Sequence, residues 1–449
     1  MSIATIPPYN PDRLDPRGGH AVVLGASMAG LLAGRVLSDA YGRVTIIEKD
    51  SLEDHGAPRP GVPQAGHPHL LLGAGQRTME AFFPGFGDDV RSAGGLVIDW
   101  ATDLHYYDEG GYIADSPDRI PMFAASRPLF DQVVHRHIDG LDGIRIRDGC
   151  QFIEYQHDPD RGAVHGVSVR ENGTKTSLDA DLVVDATGRT SRTATWLGEH
   201  GYPSPRVDAV EIGLTYSTLR FERPADDRRM LFVPPSAPRK VGGGAFPIED
   251  GRWLVTLVGV HGVTPPTEAA AFAEFAAELP VPDVRRLIEN HAVAENGVHQ
   301  YPFPSSIWRH YEQLDRGPRN LLVTGDAVAS FNPVYGQGMS IAALEARQLQ
   351  HVLATRSPDK WPRAFYDRLH SVIRLAWRLS AGSDFRFPQT TGPKPRFTDL
   401  ANWYLSRLLR TAQQDRELAE RFARVVMMLD PPRALLSPKT VWQVLSPLS

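Results

Sequence analysis

Apolar and polar positions along this chain alternate between two periods, and where the period changes a glycine usually stands. Val22, Val23 and Leu24 form a short β-prone run that ends at Gly25; Leu31, Leu32, Val36 and Leu37 then recur at helical spacing, and Val44, Ile46 and Ile47 form a second run closed by Glu48. The pattern predicts strand, tight turn, helix and strand over residues 21–50. Leu182, Val183 and Val184 make another buried-strand run, with Asp185, Thr187 and Gly188 at its C-terminal end. Residues 319–353 repeat the theme as strand, Gly325-Asp326, loop, and a helix opening near Gly338.

Between these stretches the pattern predicts a helix over about 70–83, short aromatic-bearing strands within 96–125 (Trp100, Tyr106, Tyr107, Tyr112), and a helix over 126–138. Ser126 is placed to cap that helix and Pro128 to sit in its first turn. A β-meander is expected over 144–172, then antiparallel strands at 212–221, 230–235 and 252–260, which read as a separate inserted sheet. Helices follow at 265–279, 281–291, 362–380 and 398–428, with Leu369, Ile373, Ala376 and Leu379 as a core-facing stripe. Residues 1–18 read as a loose arm. The class is α/β.

Composition narrows this little. Among 449 residues, 42% are apolar and 22% charged, ordinary for a globular protein. A net charge of −5 favours neither nucleic acid nor an anionic membrane surface. The one cysteine, Cys150, rules out an internal disulfide and a Cys-x-x-Cys pair. Absence of a signal-like apolar core and of a spanning run makes a cytoplasmic location the expectation.

The chemistry concentrates at the strand ends. Gly25 permits a sharp turn, Gly30 lets helix and strand approach, and the helix start offers free N–H groups to a pyrophosphate. Glu48 stands where a carboxylate accepts ribose hydroxyls, although Ser27 replaces the middle glycine of G-x-G-x-x-G. The Pro- and Gly-rich loop after it carries Arg59, Gln64, His67 and His69. His67 and His69 share a face in extended chain, but no third ligand converges on them, and no metal site is expected. Arg127, taken alone, reads as a solvated surface charge.

The three stretches together, in this order and spacing over about residues 20–352, resemble the FAD-dependent monooxygenases of the single-component aromatic hydroxylase type. The resemblance implies a Rossmann-like FAD-binding domain (19–95, 126–205 and 306–352), a mostly antiparallel substrate domain (96–125 and 206–305), and a C-terminal helical region (353–449). It implies that Gly25, Ala26, Ser27, Met28, Ala29 and Gly30 cradle the pyrophosphate, that Glu48 with Lys49 meets the adenosine ribose, and that Arg127 contacts the cofactor. Asp326 would hold the ribityl chain, while Pro333, Gly336, Gln337, Gly338 and Met339 would face the flavin pyrimidine edge. RPGVPQAGHPH (59–69), DATGR (185–189) and GDAVASFNPVYGQGMS (325–340) are more closely similar to epoxidases of polyether biosynthesis of the lasalocid type. On that basis Arg59, Gln64 and His67 line the cofactor. Leu214, Tyr216, Phe232, Phe246, Leu254, Thr256 and Tyr335 are the candidate substrate wall, and for the sheet residues plain core packing is an equal reading.

The implied chemistry is insertion of one O2-derived oxygen into an apolar small molecule through a C4a-hydroperoxyflavin, with epoxidation of a polyketide alkene favoured because no phenol-deprotonating base stands out. NADPH or NADH would reduce the flavin transiently, since no second nucleotide fingerprint is present; a partner reductase or carrier protein stays open. The alternatives are an aromatic hydroxylase, an alkene reductase of isoprenoid type, and a non-redox cyclase retaining FAD. The Trp-x-Trp-x-Ile-Pro motif of flavin halogenases is absent, and Gly25-Ala26-Ser27-Met28-Ala29 lacks the closing glycine of a hydrolase nucleophile elbow.

Overall fold

The buried run His20–Leu24 is the central strand of a five-stranded parallel sheet in the computed structural model, which describes residues 5–52, 59–295 and 297–446. Its order is Leu321–Val323, Leu182–Asp185, His20–Leu24, Arg43–Ile47, Ile144–Arg147. All four strand pairings are parallel, which is why these strands read as continuous apolar runs rather than alternating ones. Helices Met28–Ser38 and Gly338–Thr355 pack together beside it. A side chain at Gly34 would lie 2.6 Å from Ile46 Cδ1, so glycine sets how closely helix and strand approach.

The second large unit is an eight-stranded sheet in the order Ala329–Ser330, His299–Arg309, Val207–Glu222, Arg252–Gly259, Val241–Ile248, Met230–Val233, Leu104–Asp108, Gly111–Tyr112. It is antiparallel except where Met230–Val233 runs parallel to Leu104–Asp108. The fold is thus mixed α/β, a Rossmann-like unit with a mostly antiparallel sheet and helices at the C-terminus.

Several expectations are corrected. Ile144–Arg147 joins the parallel sheet, and only Cys150–Asp158, Ala163–Glu171 and Thr174–Asp179 form the meander. Val241–Ile248 is a full strand that three successive glycines disguise; a Cβ at Gly242 or Gly244 would come within 2.5 Å of neighbouring atoms. The helix expected over 265–279 shrinks to Phe272–Ala276 after a short turn. That over 398–428 divides into Thr398–Ala412 and Arg416–Val426, because Asp415 accepts the Leu418 N–H at 3.0 Å and starts a new helix. Of the expected stripe, Leu369, Ile373 and Ala376 are buried, while Leu379 at the end of the helix is only half-buried.

The N-terminal arm is docked over its described part. Ile6 and Leu14 are buried, Arg347 donates to the Ile6 carbonyl at 2.8 Å, and Gln350 bonds both the N–H and the carbonyl of Asn10. Residues 1–4 of the arm and 53–58 of the Pro- and Gly-rich loop lie outside the described residues. Among the described residues no helix is long and apolar enough to cross a membrane.

Candidate functional site: a cleft at the strand ends and the cavity beside it

Gly25 takes φ +100°, turning the chain from the first strand into helix Met28–Ser38. A Cβ there would sit 2.6 Å from the Ala186 carbonyl oxygen, and one at Gly30 would sit 1.8 Å from Gly25 O. Ser27 stands at the helix N-cap, yet its side chain does not cap. Its hydroxyl instead accepts from Arg127 Nη2 at 2.8 Å, which leaves the first-turn N–H groups without a side-chain cap. Arg127 is 4% exposed, which corrects the surface-charge reading; its Nε bonds Asp131 at 2.9 Å, and Ser126 caps its helix through the Leu129 N–H.

Glu48 is tied to the same turn. Its Oε2 accepts the Ala26 N–H at 2.9 Å and its Oε1 the Asp50 N–H at 3.1 Å. Arg59 donates through Nη2 to the Ala26 carbonyl at 2.7 Å and places Nη1 3.2 Å from Glu48 Oε2, close enough for an ion pair but outside hydrogen-bond geometry. Lys49 is exposed and Gln64 half-buried in the short turn Pro63–Gly66.

The strand Leu321–Val323 delivers the opposite wall. Gly325 (φ +65°) brings its turn so close to the first helix that a Cβ would lie 2.7 Å from that of Ala29. Asp326 is exposed at this turn, with three arginines around it. Enclosure raises its carboxyl above the usual range, and Arg189, Arg127 and Arg309 pull it part of the way back. Below the turn, Glu345 Oε2 accepts from Thr324 Oγ1 at 2.8 Å and from the Gly325 N–H at 2.7 Å. Burial pushes that carboxyl up to about 7.

Helix Gly338–Thr355 starts without a side-chain cap, and the buried Gln337 Oε1 has no hydrogen-bond partner among the described residues. Gly338 is exposed, with no heavy atom within 4 Å of a Cβ built there. Met339 is buried beneath it, and Pro333 and Gly336 are half-buried just before it. The two helices whose starts lack side-chain caps pack on each other, and the Gly325-Asp326 turn touches both, an arrangement suited to an elongated anionic ligand.

Pro333, Val334 and Gly336 also belong to the wall of a separate apolar cavity, which holds about 540 Å³ of space, part of it open to solvent. The eight-stranded sheet contributes Tyr216, Phe232, Phe246, Thr256 and Val258, and His67 and Leu70 come from the loop after Arg59. Of the candidate substrate residues, Tyr216, Phe232, Phe246 and Thr256 line it. Leu214 and Leu254 are instead in packed core clusters beside it, and Tyr335 donates from behind the loop to Asp384 at 3.3 Å. His67 lies in this wall and not at the glycine-rich turn.

Sequence reasoning missed Arg189, Arg309, Glu345 and Asp384. Arg189 bonds Ser305 and Ser330 and lies over the Phe303 ring at 4.8 Å, and Arg309 donates to the Ala327 carbonyl at 3.2 Å. The one acid inside an otherwise apolar helix start was a signal for Glu345; Asp384 offered none.

The family model described as FAD binding domain matches residues 20–368. Protein Rv3254 of Mycobacterium tuberculosis (strain ATCC 25618 / H37Rv) is 33% identical over 428 residues, covering 92% of this chain and 90% of the relative. In fold the chain is similar to p-nitrophenol 4-monooxygenase PnpA from Pseudomonas putida DLL-E4, with TM-score 0.64, 18% identity, and coverage of 93% of this chain and 100% of PnpA. It is similar also to the Diels-Alderase PyrE3 of pyrroindomycin biosynthesis, with TM-score 0.60, 16% identity, and coverage of 92% and 81%. A match spanning the glycine-rich turn, the strand ends and the Gly-Asp turn means that the chain belongs to the FAD binding domain family.

Proposed function

We propose that the chain is an FAD-dependent monooxygenase that inserts one O2-derived oxygen atom into an apolar small molecule, with epoxidation of an alkene in polyketide-type biosynthesis as the leading reaction. The observation that carries this is the loop Pro333–Gly336, which lines the apolar cavity and runs directly into the uncapped helix start at Gly338. On this reading the cofactor site and the cavity share that loop.

The residues present fit FAD. The glycine-rich turn and uncapped first helix would take the pyrophosphate, with Ser27 oriented by Arg127. Glu48, held by the Ala26 N–H, would take the adenosine ribose, and Asp326 the ribityl hydroxyls. Gln337, Gly338 and Met339 would meet the flavin's pyrimidine edge, where the unpartnered Gln337 Oε1 offers an acceptor for a ring N–H. Bound and reduced, FAD supplies the oxygen activation. The chain's own part is positioning and exclusion of water, served by the apolar cavity wall. A nicotinamide donor or a partner reductase would provide electrons, and the reaction would take place in the cytoplasm.

The test supplies the purified holoenzyme with a nicotinamide donor, isotopically labelled O2, and panels of polyenes and phenols. One labelled oxygen in an epoxide is the expected result. Labelled phenolic products would move the reading to an aromatic hydroxylase. Turnover without any labelled product would replace it with an alkene reductase or, given the fold shared with PyrE3, a cyclase. A protein that neither carries nor takes up FAD would overturn the proposal.

A further inference from the structure

Two residues of the apolar cavity wall, His67 and Thr256, are joined through Thr218 by a hydrogen-bond chain. Thr256 donates to the Ser217 carbonyl at 3.5 Å, and Thr218 donates its own proton to Thr256 Oγ1 at 3.0 Å. Thr218 Oγ1 also lies 2.7 Å from His67 Nδ1. A carbonyl only accepts; with Thr256 giving its proton there and Thr218 giving its own to Thr256, Thr218 is left as the acceptor for an Nδ1–H. Burial, with His69 and His299 nearby, pushes the His67 imidazole down to about 3, so the ring is neutral and carries a single proton. The hydrogen-bond chain then assigns that proton to Nδ1. Nε2 is then left as a lone pair, and the ring's hydrogen bond among the described residues is the one at Nδ1. The ring is held edge-on against Tyr216, centroids 4.1 Å apart, and forms part of the cavity wall.

Resting on the reading of this cavity as the substrate site, we propose that His67 Nε2 is the hydrogen-bond acceptor for a hydroxyl of the substrate. The substrate is then an uncharged, mainly apolar molecule that carries its oxidisable double bond or ring together with a hydroxyl group. A bound ether would leave Nε2 unpaired, and a carboxylate would set lone pair against lone pair, so both are discriminated against. A proton-poor imidazole of this kind orients a hydroxyl without removing its proton. His67 thus belongs with the substrate and not with FAD.

The holoenzyme is titrated with 2-naphthol, 2-methoxynaphthalene and naphthalene, and binding is followed by perturbation of the flavin absorbance. Wild type is expected to bind 2-naphthol about tenfold more tightly than either partner, the effect of one buried hydrogen bond. His67→Phe should retain FAD, still bind naphthalene, and lose the preference. Thr218→Val, which takes the acceptor away from Nδ1 and frees the ring to protonate Nε2, should reduce the preference without altering the cavity wall. The proposal is overturned if wild type binds the three compounds alike or not at all, or if either variant keeps the full preference. Loss of FAD from folded His67→Phe overturns it too, by returning His67 to the cofactor. Failure of the monooxygenase reading is seen separately, as FAD-loaded wild type that yields no labelled product.

Discussion

A carboxylic acid inside a helix that faces the core is an unusual choice, and Glu345 shows what it is for. It is 1% exposed, and it holds the Gly-Asp turn by accepting from Thr324 and from the Gly325 N–H. Burial raises its carboxyl from the ordinary 4.5 to about 7. Between those two values the native state keeps a proton that the unfolded chain has released. Stability from this group is therefore fully present below pH 4.5 and is lost as pH rises towards 7, by at most about 3 kcal/mol. Asp384, raised to about 7 by burial, adds a slope of the same sign. Glu345→Gln keeps an acceptor for the Gly325 N–H and does not titrate. The melting temperature of this variant should fall less steeply than that of wild type between pH 4.5 and 7, with the remaining slope due to Asp384; an unchanged slope would assign the titration elsewhere.

At the scale of elements, the cleft is three strand ends and two helix starts, and the Gly-Asp turn can be tested by itself. Asp326 is exposed, and enclosure by its neighbours raises its carboxyl against the pull of Arg189, Arg127 and Arg309. Asp326→Ala should lose FAD from the purified protein while leaving the unfolding free energy measured in urea within about 0.5 kcal/mol of wild type, as for a surface change. Full retention of flavin would displace the ribityl site. These elements were legible in the sequence because a parallel strand buried on both faces reads as an apolar run, and because glycine must stand where the chain turns sharply. Other elements were hidden for equally physical reasons. Pro302 and Pro304 argue against a strand, yet His299–Arg309 tolerates them because its partner Ala329–Ser330 pairs only with Ile307 and Trp308, leaving the proline stretch as an edge. The arm reads as loose because its anchors are carbonyls bonded by Arg347 and Gln350, more than three hundred residues away. The cavity end was the least legible part: His67 meets Thr218 across 151 residues, and no local pattern encodes that pairing.

At the scale of the whole molecule, the C-terminal helices complete the sheet that builds the cavity. Phe422 stacks on Tyr106 at 6.0 Å, and Tyr106 lies 5.3 Å from Phe232 in the cavity wall. The polar counterpart of this contact is Arg386. It bonds Asp108 at 3.2 Å, Ser236 at 3.0 Å, and Glu109, whose other oxygen accepts from Arg410 at 2.9 Å. Asp108 is 2% exposed, so without Arg386 it becomes a buried charge lacking its cation, whereas Glu109 keeps Arg410 and Ser406. Arg386→Met should then lower unfolding free energy by about 3 kcal/mol. Asp108→Asn in the same chain should recover part of that loss, because the stranded charge is gone. Since Asp108 ends the strand that carries Tyr106, loosening the clamp should also weaken binding of apolar compounds while FAD, proposed to lie along the parallel sheet, should stay bound. Denaturation and flavin-perturbation titrations on the two variants decide it: additive stability losses, or simultaneous loss of FAD, would mean that the C-terminal helices stabilise the chain without shaping the cavity.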